Sequence, residues 1–157
     1  MSKFLSTSLC VALLAASVAA NAEGQVISND LSKCRSGPST LVQINGVKAG
    51  TGRIRVQSYR ANASEWLAKG RWITRVEVPA RAGSMTVCVP LPAAGSYGIA
   101  VRHDVNGNGK TDLSADGGGM SNNPSINIFN LGKPSYKKTA FEVGNAPRTI
   151  SISMKYM

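Results

Sequence analysis

Tyr97-Gly98-Ile99-Ala100-Val101-Arg102-His103-Asp104 is the stretch on which the reading of the fold turns. Tyr97, Ile99, Val101 and His103 fall on one face, with small or charged residues between them. That period of two marks a strand with one face buried. The pattern recurs on both sides of it. Ile54 and Val56 alternate with Arg53, Arg55 and Gln57, and Trp72, Thr74, Val76 and Val78 alternate with Arg71, Ile73, Arg75 and Glu77. Residues 41–45, residues 85–89 and a last strand carrying Ile150, Ile152, Met154 and Tyr156 complete the set. Roughly six or seven such strands, bounded by Gly, Pro and Asn clusters, predict an all-β fold, a single antiparallel β-sandwich.

Two segments break the pattern. Asn62 with Glu65 three residues on makes a capping box, and Gly70 is a natural stop, so one short helix is expected between the second and third strands. Trp66 and Leu67 would pack that turn against an open edge. Residues 114–135 contain Gly117-Gly118-Gly119 and Asn122-Asn123-Pro124, which argue against a regular strand. Ile126, Ile128, Phe129 and Leu131 are expected to fold part of this long loop back onto the sandwich.

The first residues read as an address. Lys3 provides a positive start, an apolar run extends from Leu9 to Ala20, and Ala20-Asn21-Ala22 is a small-x-small cleavage pattern, so residues 1–22 are expected to be a signal peptide. The apolar run is shorter than the roughly 20 residues that span a bilayer, and an integral membrane protein is not expected. Cleavage removes Cys10 and leaves Cys34 and Cys88, an even pair in an oxidising compartment, hence one disulfide. In the chain-entropy picture that bridge restricts the unfolded chain by roughly 4 kcal/mol. The chain then divides into the signal peptide, an N-terminal segment 23–38 holding Cys34, and a sandwich domain 39–157.

Composition excludes several functions. Aromatic residues are 6% of 157, too few for a surface that stacks bases, and nucleic acid is not an expected partner. One histidine excludes any site that needs two imidazoles. The net charge of +10 favours anionic partners.

The loop after the central strand carries the most specific chemistry. Asp104, Asn106, Asn108, Gly109 and Asp112 stand at positions 1, 3, 5, 6 and 9 of a calcium-loop spacing, and Lys110 would offer its backbone carbonyl at position 7. Alternate residues of a tightly wound loop turn oxygens inward, and Gly permits the sharp turn. Ala115 stands at position 12, where a bidentate Glu is usual, so Ca²⁺ is a candidate ligand at the weak end of the range. The competing reading is a set of Asx turns.

The Gly-x-Tyr strand feeding His103-Asp104-Val105-Asn106-Gly107-Asn108-Gly109 resembles an exported bacterial family, domain-of-unknown-function family 2141. Ser121-Asn122-Asn123, Pro134-Ser135-Tyr136, Ala140-Phe141 and residues 150–156 share in the resemblance, which spans about Leu41 to the C-terminus. It implies a periplasmic or secreted sandwich, transthyretin-like or immunoglobulin-like, with no established activity. The chain departs from the pattern at Val105, where an acidic residue is typical. It departs again at Gly117-Gly118-Gly119-Met120, where Pro, Glu and aromatic residues are usual.

His103 next to Asp104 invites a catalytic reading, yet neighbours on a strand point to opposite faces, so the two would not form a dyad. His103 is instead expected to anchor the loop, and a hydrolase using it ranks third among the functions considered. Arg53 and Arg55 share one side of their strand and Arg71 and Arg75 one side of theirs. In one sheet they would form a basic face, extended by Lys48, Arg60, Arg81, Lys137 and Lys138. The leading expectation is a non-catalytic exported module that binds or scaffolds at the cell envelope, with another exported protein as a candidate partner. The alternative is docking of the basic face onto an anionic envelope component, polymer or lipid head group.

Overall fold

The computed structural model describes residues 24–157. The expected signal peptide, with Lys3, Cys10 and the cleavage site, lies outside the described residues. Ten strands follow in order: β1 (Gln25–Ile27), β2 (Ser39–Val47), β3 (Arg53–Arg60), β4 (Thr74–Pro79), β5 (Gly83–Pro90), β6 (Gly95–Asp104), β7 (Gly117–Met120), β8 (Phe141–Val143), β9 (Pro147–Ser153) and β10 (Lys155–Tyr156). One sheet runs β1-β4-β3-β6-β7-β10 with β8 added beside β6, and the second runs β5-β2-β9. Among the described residues, no helix is long and apolar enough to cross a membrane.

The two sheets close on the faces that the alternation marks as apolar. Val42, Ile44, Val87, Val89 and Ile152 of the smaller sheet meet Ile54, Val56, Val76, Tyr97, Ile99 and Val101 of the larger, all buried. The result is the expected all-β sandwich. Two of its pairings, β1 with β4 and β2 with β9, are parallel, because each brings in a strand from near one end of the described chain rather than from a hairpin.

Cys34 closes a 3₁₀ turn (Leu31–Cys34) and lies at disulfide distance from Cys88 of β5, with S–S 2.11 Å and Cα–Cα 5.8 Å. Asn29 adds a polar clamp beside it, accepting from the Cys88 N–H at 2.9 Å and donating to the Thr86 carbonyl at 3.1 Å. Residues 24–38, the described part of the N-terminal segment, therefore belong to the sandwich through both β1 and the disulfide.

Several expectations are corrected. The 62–70 segment forms turns, not a helix. The Asn62 side chain does accept from the Ser64 and Glu65 N–H groups, but Leu67 adopts φ +55°, and a left-handed residue ends helical propagation. The short helix is α1 (Tyr136–Thr139) instead. The C-terminal strand is two strands, β9 and β10, which lie in different sheets and hinge at the buried Met154. The triple glycine does hold a strand, β7.

That last correction has a steric cause. A Cβ on Gly117 would stand 2.3 Å from the Tyr156 ring, and one on Gly119 would stand 2.7 Å from Ile152 Cγ2 and 3.0 Å from the Ser153 carbonyl. Glycine lets the chain lie flush beneath the β9–β10 corner. Phe129 and Leu131 do not fold back onto the sandwich; they are 92% and 69% exposed.

Candidate functional site

The outward face of the larger sheet is built by its register. Glu77, Arg55, Arg102, Gly118 and Lys155 follow one another across β4, β3, β6, β7 and β10. The adjacent row reads Arg75, Gln57, Ala100 and Met120. Gly118 and Ala100 leave a hollow between flanking cations, and a Cβ on Gly118 would meet only the Val101 carbonyl at 4.0 Å. The hollow is a pocket of about 250 Å³.

Three features wall it. At one end the 62–70 turn seats Trp66 on Gly98, where a Cβ would clash with the ring at 2.5 Å, and places Leu67 at the rim. Trp66 packs edge-on against Tyr59 and donates Nε1–H to the Pro134 carbonyl at 2.8 Å, so it is a packing residue. At the other end stand Thr111, Asp112 and Leu113. Ile126, Leu131 and Lys133 form the third side.

The electrostatics are lopsided. Arg53, Arg55 and Arg75 gather around the single carboxylate of Glu77 at 3.8, 2.7 and 3.9 Å. With its oxygen turned toward Arg75, the Gln57 amide accepts from Nε at 3.2 Å and Nη2 at 3.0 Å. Burial, and then the Arg55 charge, hold the Arg75 guanidinium below its usual value. Burial pushes the Tyr59 hydroxyl upward. Lys133 and Lys155 line the same hollow and make no ion pair among the described residues. Arg71 is not part of this face. It precedes β4 in an exposed turn, its N–H bonded to the Ala68 carbonyl.

The 104–112 loop closes over one end of the sheet. Asn106 Oδ1 accepts from the Asn108 N–H, and Asn108 Oδ1 accepts from the Lys110 N–H, which are Asx turns. Both amide groups donate to Asp112 Oδ2, at 2.9 and 2.7 Å, and those bonds hold the Asp112 carboxyl below its usual value. The buried Asp104 accepts from the Gly109 N–H through Oδ2, while its Oδ1 is buried without a partner. Arg102 reaches into the loop, donating to Thr111 Oγ1 at 2.9 Å and the Gly109 carbonyl at 3.1 Å, with Asp104 Oδ2 at 3.4 Å. Asp116 caps the loop by accepting from the Val105 and Asp112 N–H groups.

His103, on the opposite face of β6, is fully buried. Its ring nitrogens lie 2.8 Å from the Tyr156 hydroxyl and 2.8 Å from the Thr51 carbonyl. Ser121-Asn122-Asn123 is also a structural clamp. Ser121 Oγ accepts from the Ile99 N–H and donates to the Thr139 carbonyl, Asn122 donates to the Ala140 carbonyl just before β8, and Asn123 holds β9 through the Ser151 carbonyl and the Ser153 N–H. Asn122 and Asn123 take φ +63° and +48°, a conformation that asparagine tolerates.

The strand-to-loop geometry of His103-Asp104 through Gly109 and the Ser121-Asn122-Asn123 clamp lie within residues 42–151, the span matched by the family described as "Uncharacterized protein conserved in bacteria (DUF2141)". The chain belongs to DUF2141. No curated protein and no solved structure matches it.

The pocket residues of this DUF2141 chain are largely ones that sequence patterning passes over. Arg102, Gly118, Met120 and Lys155 carry no common local signal, because they become neighbours only through the register of β6, β7 and β10. The available signal was the polar phase of β6, where Ala100, Arg102 and Asp104 share one face.

Proposed function

We propose that this DUF2141 chain is an exported, non-catalytic binding module for a small amphipathic anion, held in the pocket on the outer face of the larger sheet. The observation that supports this reading is the floor at Gly118 and Ala100, open between Arg55, Arg102 and Lys155 and walled by Leu113, Met120, Ile126, Leu131 and Met157. Cations at the floor suit a carboxylate or phosphate head, and the apolar wall suits a short hydrocarbon tail. A disulfide suits export to the periplasm or the cell exterior, which N-terminal sequencing of fractionated protein tests at Ala22.

Titration with decanoate, decanol and acetate, followed by backbone amide shifts, tests the pocket. Decanoate is expected to saturate and to move β6, β7 and residues 111–113, with the two partial ligands weaker by at least about tenfold. Gly118→Val, which raises the floor into the hollow and leaves the charged and apolar side chains of its wall unchanged, should abolish binding and leave the fold intact. Unchanged decanoate binding in that variant would overturn the reading.

A second reading is favoured by the buried, unpartnered Asp104 Oδ1. Ca²⁺ in the 104–112 loop would take Asp104, Asn106, Asn108, Asp112 and the Lys110 carbonyl. Binding requires the Asn106 and Asn108 oxygens to leave their Asx turns, which suits weak affinity.

A further inference from the structure

Residues 125–133 form a knuckle held by its own side-chain hydrogen bonds that turns Phe129 and Leu131 outward. Asn127 Oδ1 accepts from the Phe129 and Asn130 N–H groups at 3.0 and 3.1 Å. Asn130 Oδ1 in turn accepts from the Asn127 and Gly132 N–H groups, and its Nδ2 donates to the Ser125 carbonyl at 2.7 Å. The base is fixed by Trp66 on the Pro134 carbonyl. Phe129 is 92% exposed and Leu131 is 69% exposed.

Leu131 also sits at φ +48°. A glycine or asparagine would suit that backbone better, and a polar side chain would suit the water better. The position thus carries two penalties whose joint outcome is a leucine held out into solvent. Leu113 and Met157, both 47% exposed, border the same face.

The charge around this apolar rim is positive. Lys133 and Lys155 line the face, and the exposed Lys137 and Lys138 follow the knuckle in the chain. The carboxylates there are already engaged: Glu77 by three arginines, Asp112 by two asparagine amides, Asp116 by two backbone N–H groups. Exposed aromatic and aliphatic side chains, with Lys133 and Lys155 lining the same face as Leu131, match the interfacial zone of an anionic bilayer, where the ring enters below the head groups and ammonium groups meet phosphate.

We infer that the 125–133 knuckle docks this protein onto an anionic lipid surface, with Phe129 and Leu131 inserted and the lysines at the phosphates. Phe129 lies outside the pocket lining, whereas Leu131, Lys133 and Lys155 also line the pocket, so the two readings share that rim and the Gly118→Val variant separates them.

The test is flotation of the purified protein with phosphatidylcholine vesicles, with and without phosphatidylglycerol. Wild type is expected to float with the anionic vesicles only. The double variant Phe129→Ser, Leu131→Gly should bind them at least about tenfold more weakly. Its thermal midpoint should be no lower, since glycine relieves the left-handed backbone. Gly118→Val should float like wild type, which distinguishes failure of the pocket reading from failure of this one. The inference is overturned by the absence of flotation with anionic vesicles or by equal flotation of the double variant. A dimer in solution that the double variant dissociates would also overturn it, because a second copy would then cover the face.

Discussion

The Tyr156 hydroxyl lies 2.8 Å from Nδ1 of the fully buried His103, and the direction of that bond is fixed by its surroundings. The Thr51 carbonyl at Nε2 can only accept, so in the neutral imidazole Nε2 carries the proton and Nδ1 accepts from Tyr156. The Tyr156 oxygen accepts in its turn from the Lys48 N–H at 2.9 Å. One relay therefore joins the 48–52 turn, β6 and the C-terminal β10. Tyr156→Phe leaves Nδ1 and the Lys48 N–H unpaired and should cost about 1–3 kcal/mol. His103→Ala adds a cavity and should cost about 3–5 kcal/mol. Urea denaturation read at constant m-value checks both.

The three consecutive glycines of β7 should respond differently to the same change. Gly119→Ala drives a methyl into Ile152 and the Ser153 carbonyl and should destabilise by about 1–3 kcal/mol. Gly118→Ala meets open space in an extended backbone and should be neutral or stabilise by up to about 1 kcal/mol. Denaturation midpoints of the two variants measured side by side decide this.

These glycines also mark where the sequence stops being legible. The alternation of Tyr97, Ile99, Val101 and His103, and its echoes in β2, β3, β4 and β5, is local information, and the buried faces follow it. Gly117–Met120 has no such signal. Its strand exists because Tyr156 and Ile152, more than thirty positions along the chain, need a surface without side chains. The 62–70 turn failed in the opposite way, since its capping residue behaves as expected and the helix is stopped at Leu67 by φ +55°. The pocket was hidden for the same reason as β7. Arg55, Arg102 and Lys155 become neighbours only through register, and Arg71, which sequence grouped with Arg75, falls outside the strand.

The disulfide offers a prediction of larger size. It closes a 54-residue separation and ties the Leu31–Cys34 turn to β5. Removing it by paired Cys34→Ala and Cys88→Ala changes should cost about 4 kcal/mol, within a range of about 2–5. Guanidinium unfolding of oxidised wild type against the paired variant measures it.

Asp112 predicts the acid response of the loop. The Asn106 and Asn108 amides lower its folded pKa, so its contribution is fully present above the unfolded value near about 3.9 and is lost as pH falls through the lower folded value. The side-chain amide signals of Asn106 and Asn108 should therefore titrate together, with a midpoint below about 3.9. Asp112→Asn should remove that titration and leave the loop's hydrogen-exchange protection lower at neutral pH.

Arg102 makes the calcium reading of the loop sharper. Its guanidinium already brings a positive charge to Asp104 Oδ2, the Gly109 carbonyl and Thr111 Oγ1, groups that face the same loop a divalent ion would enter. A bound ion and this guanidinium would repel each other, and Arg102 would compete for Asp104. With a dissociation constant of about 0.5 mM, Ca²⁺ at about 5 mM would stabilise the fold by about 1.4 kcal/mol, a shift of several degrees in the thermal midpoint. Arg102→Gln removes the competing charge and should enlarge the shift, whereas Asp104→Ala should erase it. Thermal unfolding of the three proteins in Ca²⁺ and in EDTA separates the cases. A midpoint indifferent to Ca²⁺ in wild type and in Arg102→Gln would leave the loop held by its own hydrogen bonds, with no part for an ion.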